Sequence, residues 1–251
     1  MKSFQGEKRL LQPPSPWWLV LCIVLLIAGV GFLGAFAYAQ YGYVKSSRYY
    51  TELSQTSLQS TGEQARSQVD FASLEAVNPD IAAWLEMPAL SISLPVVQAQ
   101  DNDTYLHHSF DGSASPYGCL FFSAASYGGN DLYRVIYGHN MHTGEMFAGL
   151  LSYTDEYFYR ENPNFTLCTP EGDKTCHIFS CHSVTDGDDL YNTSRTEGDD
   201  YNAFIQQLYD ASDYVTGVQV PENSKVLTLS TCESSYTSGK DRYVIHAYIE
   251  E

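Results

Sequence analysis

The 251-residue sequence predicts a mainly β domain, a sandwich or barrel of eight short strands with one inserted helix, behind a single membrane-spanning helix. Three features lead there. Trp17–Tyr38 (WWLVLCIVLLIAGVGFLGAFAY) carries no charged residue and is long enough to cross a bilayer as a helix. From Ser91 onward the chain alternates short apolar runs with turn residues: ISLPVV, GCLFFS, YRVIYG, NFTLCT, CHIFSCHSV, YVTGVQV, KVLTLST and RYVIHAYI. Among them, Tyr201, Phe204, Ile205, Leu208 and Tyr209 follow helical spacing within Asp200–Ser212, with Asp199 and Asp200 favourable at the N-terminus.

Taken in order, residues 1–16 read as a cytoplasmic tail and 17–39 as a transmembrane anchor. A cleavable signal is the rival reading, but its apolar core would be only about 7–15 residues. Lys2, Lys8 and Arg9 against a lone Glu7 place the N-terminus inside and the remainder outside. Trp17, Trp18, Tyr38, Tyr41 and Tyr43 suit the two interfaces. Residues 40–68 are polar helix formers, a juxtamembrane helix or stalk. The extracellular catalytic domain is expected over 69–251. It opens with VDFASLEAVNPDIAAWLEM, apolar at helical spacing and interrupted by Asn78-Pro79; later, the stretch from Thr169 to Lys174 reads as a hairpin connection.

A formal charge of −17 leaves no basic stripe for phosphates, which excludes a nucleic-acid partner. The acidic runs from Asp186 to Asp189 and from Glu197 to Asp200 lack calcium-loop spacing and read as solvated surface. Six cysteines are present; with Cys22 in the span, five lie outside, so at least one external thiol stays unpaired. Cys168 and Cys176 flank the hairpin turn, where a cross-strand disulfide is one reading against restrictive geometry. A metal centre from Cys176, His177, Cys181 and His182 is disfavoured. In a regular strand Cys176 and His182 face one way and His177 and Cys181 the other.

Chemistry gathers at VLTLSTCESSYTSGKDRYVIHAY. Cys232 ends an apolar strand beside a polar loop, and antiparallel pairing of the flanking runs brings Arg242 to the neighbouring strand end. Alternation then puts Arg242, Val244 and His246 on one face. An adjacent guanidinium favours a thiolate and can donate to an oxyanion. Such a thiol needs a proton shuttle. Of seven histidines, His139 stands out at a strand exit, with His142 its close competitor.

These residues also carry a resemblance. YGHNMHTGEMFAGL (137–150), VLTLSTCE (226–233) and RYVIHAY (242–248), in this order, resemble the His, Cys and Arg segments of the sortases, membrane-anchored cysteine transpeptidases of Gram-positive bacteria. NPDIAAWLEMP (78–88) and PVVQAQDNDTYLHHSF (95–110) point to class B, and no Asp-Pro-aromatic lid of class C is recognisable. The resemblance implies an eight-stranded sortase β-barrel with N-terminal helices and a helix between the sixth and seventh strands. It implies His139 as general acid/base, Cys232 as nucleophile and Arg242 as transition-state stabiliser. Asn102, Leu106, Tyr137, Ser230 and Glu233 fall at sorting-signal groove positions; the remaining groove contacts belong to the loop over about 183–198, which does not align residue by residue. The implied reaction cleaves an x-P-x-T-x motif on a secreted protein and passes it to an amine, without metal or organic cofactor. A peptidoglycan precursor branch is the expected acceptor. A pilin lysine, or a catalytically silent tethered binding domain, are the alternatives.

Overall fold

The computed structural model describes residues 16–59, 68–126, 132–232 and 241–250. The chain divides into two units after Gly42. Helix α1 runs from Pro16 to Ser57, and its apolar segment is long enough to cross a membrane. No side chain from Trp17 to Phe36 is buried. Its last turns belong to the second unit. There Tyr50 is buried and donates to the Gly118 carbonyl, and Ser46 bonds Ser115 at 2.8 Å.

The second unit is built on a closed barrel. Its strands are β1 (Ile81–Met87), β2 (Ile92–Gln98), β3 (Leu120–Phe122), β4 (Tyr133–Tyr137), β5 (Asn164–Thr169), β6 (Gly172–Thr185), β7 (Val226–Cys232) and β8 (Asp241–Ile249). Around the barrel the order is β8-β6-β5-β1-β2-β3-β4-β7, closing back on β8. The β2–β3 and β4–β7 pairs are parallel and the others antiparallel. Closure leaves no unpaired edge.

Side-chain alternation sorts the barrel into two cores. Leu227, Leu229, Tyr243, Ile245 and Ala247 face inward with Leu85 and Ile136. Val226, Val244, Tyr133 and Val135 face outward beneath α5 (Asp199–Asp210), which covers them with Tyr201, Phe204, Ile205 and Leu208. These are four of the five positions that the helical spacing marks, and α5 falls between the sixth and seventh strands. Short α2 (Phe71–Val77) is capped by Asp70, whose carboxylate accepts from Ser73 N at 3.1 Å, and two further short helices, α3 (Thr104–His107) and α4 (Glu156–Glu161), precede α5.

Four expectations need correction. Ile81–Met87 is a strand, not part of a helix. Both of its faces are covered over Ala83, Trp84 and Leu85, so Ile81 to Leu85 reads as an unbroken apolar run that periodicity cannot tell from a buried helix. Conversely, residues 214–220 pair with no strand among the described residues. Gly217 takes φ 73°, and the segment is tied to α5 by Val220 N donating to the Tyr209 hydroxyl at 2.8 Å. The hairpin register sets Cys168 opposite Asp173 and Cys176 opposite Phe165, so the reading of a disulfide between these cysteines is excluded. Finally, a bulge in β6 between the partners of His246 and Ala247 breaks its alternation. Cys176 and Cys181 therefore both join the inner core, while Ser180 and His182 lie opposite outward-facing His246 and Val244.

A polar cluster lies on that outer face below α5. Thr228 Oγ1 donates to the Tyr133 hydroxyl at 2.9 Å and lies 2.7 Å from His246 Nδ1. The His246 and His182 rings stack with centroids 5.0 Å apart. His246 Nε2 is buried with no hydrogen-bond partner among the described residues. Burial, reinforced by His182, holds the His246 pKa well below its ordinary value, and burial lowers His182 too. Because the fold keeps His246 neutral while the unfolded chain binds a proton below about pH 6.5, stability is complete above that pH and falls beneath it. Between pH 7.5 and 5.5 this single group should remove about 1.4 kcal/mol. Urea midpoints at the two pH values check this: His246→Phe should show a smaller acid loss than the parent, and an equal loss would contradict it.

Candidate active site

Three elements meet at one rim of the barrel. The antiparallel ladder pairs Arg242 directly with Cys232, and the parallel ladder pairs Tyr137 with Ser230. The turn leaving β4 is clamped to β7 at three points. Gly138 N donates to Ser230 O at 3.2 Å, Thr231 Oγ1 donates to Gly138 O at 3.0 Å, and Asn140 Nδ2 donates to Cys232 O at 2.8 Å. His139, held between these clamps, is thereby carried to the strand end that bears the thiol.

A cavity of about 380 Å³ opens at this rim. It is lined by Asn102, Leu106, Tyr137, His139, Ser230, Cys232 and Arg242, together with Phe121, Gly138, Asp186 and Thr231. Seven of the eight residues singled out from sequence are thus brought together; Glu233 lies outside the described residues. Cys232 is half-buried, and Cys119, Cys168, Cys176 and Cys181 are fully buried. Burial pushes the Cys119, Cys176 and Cys181 thiols up to about 12, which keeps them protonated and inert.

Ring nitrogens can be assigned from their partners. His139 Nε2 lies 2.9 Å from the Leu106 carbonyl oxygen, which can only accept, so Nε2 carries the hydrogen. Nδ1 is then the nitrogen left to exchange a proton. The competitor His142 is exposed, packs edge-on against Tyr43 at 5.1 Å and does not line the cavity. His177 pairs with Glu250 at 3.1 Å and stacks on Tyr248, far along β6 from the thiol.

Three contributors were not assigned to the site from sequence, and one of them, Asp186, belongs to an acidic run read there as solvated surface. Tyr191 donates to or accepts from Ser230 Oγ at 3.0 Å and stacks on Tyr137 with centroids 6.0 Å apart, extending the groove wall. Burial pushes the Tyr191 phenol up to about 12 and raises Tyr137 as well, so both present hydroxyl hydrogens at neutral pH. Asp186 Oδ2 lies 3.6 Å from Arg242 Nη2. Asn140 ties the histidine turn to the cysteine strand. Tyr191 and Asp186 sit in the non-periodic loop after β6, and Asn140 bears no motif signal beyond its neighbour. Among the groove positions, Asn102 spends its side-chain carbonyl on Ala124 N at 2.7 Å, so its Nδ2 end is what it offers the cavity. A thiol, an imidazole and a guanidinium around a peptide-wide groove are equipped for acyl transfer.

Comparison with known proteins agrees with this geometry. A family model described as the sortase domain matches residues 85–250. Sortase B of Listeria monocytogenes is 30% identical over 177 residues, covering 70% of this chain and 72% of that protein. The crystal structure of sortase B from Bacillus anthracis, in complex with AAEK1, superposes with a TM-score of 0.73 at 26% identity, covering 84% of this chain and 99% of the other. A Staphylococcus aureus sortase B–substrate complex superposes with a TM-score of 0.67 at 27% identity, covering 72% and 84%.

Gly138 tests how tightly the histidine turn is seated. A Cβ there would fall 2.5 Å from Leu120 Cδ2 and 2.6 Å from Phe147 Cδ2, both buried side chains. Gly138→Ala should therefore destabilise the domain by about 1–3 kcal/mol. The urea midpoint measures it, and an unchanged midpoint would show that the turn yields freely.

Proposed function

The chain belongs to the sortase family, in its class B branch, and from that premise we propose that Cys232, His139 and Arg242 perform its transpeptidation on an extended x-P-x-T-x sorting motif. The observation that carries this reading is the convergence of seven sequence-marked residues on one cavity, with Cys232 and Arg242 paired across adjacent strands. The staphylococcal relative is described with its substrate bound, which supports a peptide as occupant of the corresponding groove.

In this reaction the Cys232 thiol gives its proton to His139 Nδ1 as its sulfur attacks the carbonyl carbon of the motif's Thr. The carbonyl oxygen becomes an oxyanion, which Arg242 and backbone N–H groups near the thiol stabilise. His139 gives a proton from Nδ1 to the departing amine, and the peptide bond breaks to leave a thioester on Cys232. An incoming amine then loses its proton to His139 and attacks the thioester, releasing the joined product and the thiol. Asn102, Leu106, Tyr137 and Ser230, extended by Tyr191 and with Glu233 beyond the described residues, form the groove. The acceptor is an amine on a peptidoglycan precursor branch. Helix α1 anchors the enzyme with its N-terminus in the cytoplasm, which sets the barrel outside, where wall precursors and secreted substrates meet.

Transfer is assayed with a panel of x-P-x-T-x peptides and either a wall-branch amine or a pilin-type lysine peptide. Cys232→Ala should abolish cleavage. Arg242→Lys should lose about 10²–10³ in kcat, because a point charge does not replace the planar fork. His139→Ala should be inactive and His142→Ala active; the reverse would move the acid/base to His142. Preference for the lysine peptide would make the protein a pilin polymerase, and no cleavage of any peptide would make it a silent binding domain.

A further inference from the structure

Asp186 is a charged cavity-lining residue that has no part in the reaction as described above. It follows the last residue of β6, whose Thr185 pairs with Asp241, directly before Arg242. The turn that holds it is closed by Asp188 N donating to Thr185 O at 3.1 Å, with Gly187 at φ 89°. Its Oδ2 stands 3.6 Å from Arg242 Nη2, while Arg242 Nη1 donates to the Asp241 carbonyl at 3.3 Å. The guanidinium is therefore gripped at both terminal nitrogens on the side of the β6–β8 ladder. The Arg242 side chain is 23% exposed and that of Asp186 57%, so the carboxylate reaches Arg242 from the open side of the groove. Among the described residues, the charged and titratable groups around this pair are Tyr137 and His139 from β4 and the turn after it, Cys232 from β7, Asp241 from β8, and Tyr191 from the loop that carries Asp186.

We propose that Asp186 is a positioning residue for Arg242, holding the guanidinium over the groove and offsetting part of its charge until a peptide is seated. This rests on the reading of Arg242 as the oxyanion donor. Two effects of opposite sign follow from removing the carboxylate. The guanidinium loses its orientation, so the transition state gains less from it. Its charge is offset less, so the nearby thiolate is favoured. A residue that merely stabilised the turn would not produce both.

The test uses the full chain in detergent micelles. Iodoacetamide modification of Cys232, read by peptide mass across a pH series, gives the midpoint of thiol reactivity without any sorting peptide. Asp186→Asn should lower that midpoint by roughly 0.2–0.7 pH unit, the range set by a solvent-exposed ion pair. In the peptide transfer assay the same variant should lose about three- to tenfold in kcat with KM little changed. Asp186→Glu should recover most of both. An unmoved midpoint in Asp186→Asn, with transfer still abolished by Arg242→Gln, overturns the role of Asp186 and leaves the catalytic reading standing. Full transfer by Arg242→Gln overturns both.

Discussion

Strand β7 closes the barrel by pairing parallel to β4 on one side and antiparallel to β8 on the other, and the placement of every reactive group depends on this double ladder. Strand side chains alternate faces, so a slip of one residue would turn Cys232 inward and Leu229 outward. The slip is opposed on both faces. Leu227 and Leu229 fit among the inner aromatics, and Val226 and Thr228 fit beneath α5 beside Tyr133 and His246. The register that delivers the thiol to the rim is thus set by core packing several residues away.

The outer face of β7 and β8 changes character along its length. Near α5 it holds a buried, neutral histidine cluster; one or two pairs farther along it becomes the groove, with Ser230, Cys232 and Arg242. Histidines at that position are costly to bury, and neutrality with a hydroxyl partner is how the fold tolerates them. Where α5 ends its cover, the same strand face meets solvent and a polar side chain becomes available for chemistry. The turn after β4 completes the arrangement, because its three hydrogen bonds to β7 make His139 move with the cysteine strand rather than with its own loop.

Much of this was legible in the sequence where a short-range pattern decides the structure. The 3.6-residue spacing of Tyr201, Phe204, Ile205 and Leu208 gives α5, and the strand–loop–strand pattern around Cys232 brings Arg242 to its side, as the ladder has it. Period alone misleads where burial is two-sided or one-sided without a sheet. The run from Ile81 to Leu85 is apolar throughout because both strand faces are covered there, and 214–220 alternates yet packs on α5 instead of pairing. The bulge in β6 is invisible to an alternation rule, and it is what moves Cys181 inward. Asp186 and Tyr191 lie on a loop without periodicity, and only the fold brings them to the groove.

The central claim is that the groove thiol carries the peptide as a thioester between two amide bonds. Intact-protein mass spectrometry of the enzyme with an x-P-x-T-x peptide and no acceptor amine tests it directly. The account predicts an added mass equal to the peptide fragment ending in Thr, located on Cys232 and discharged when an amine is supplied. Cleavage without any adduct, or an adduct on another residue, would contradict it.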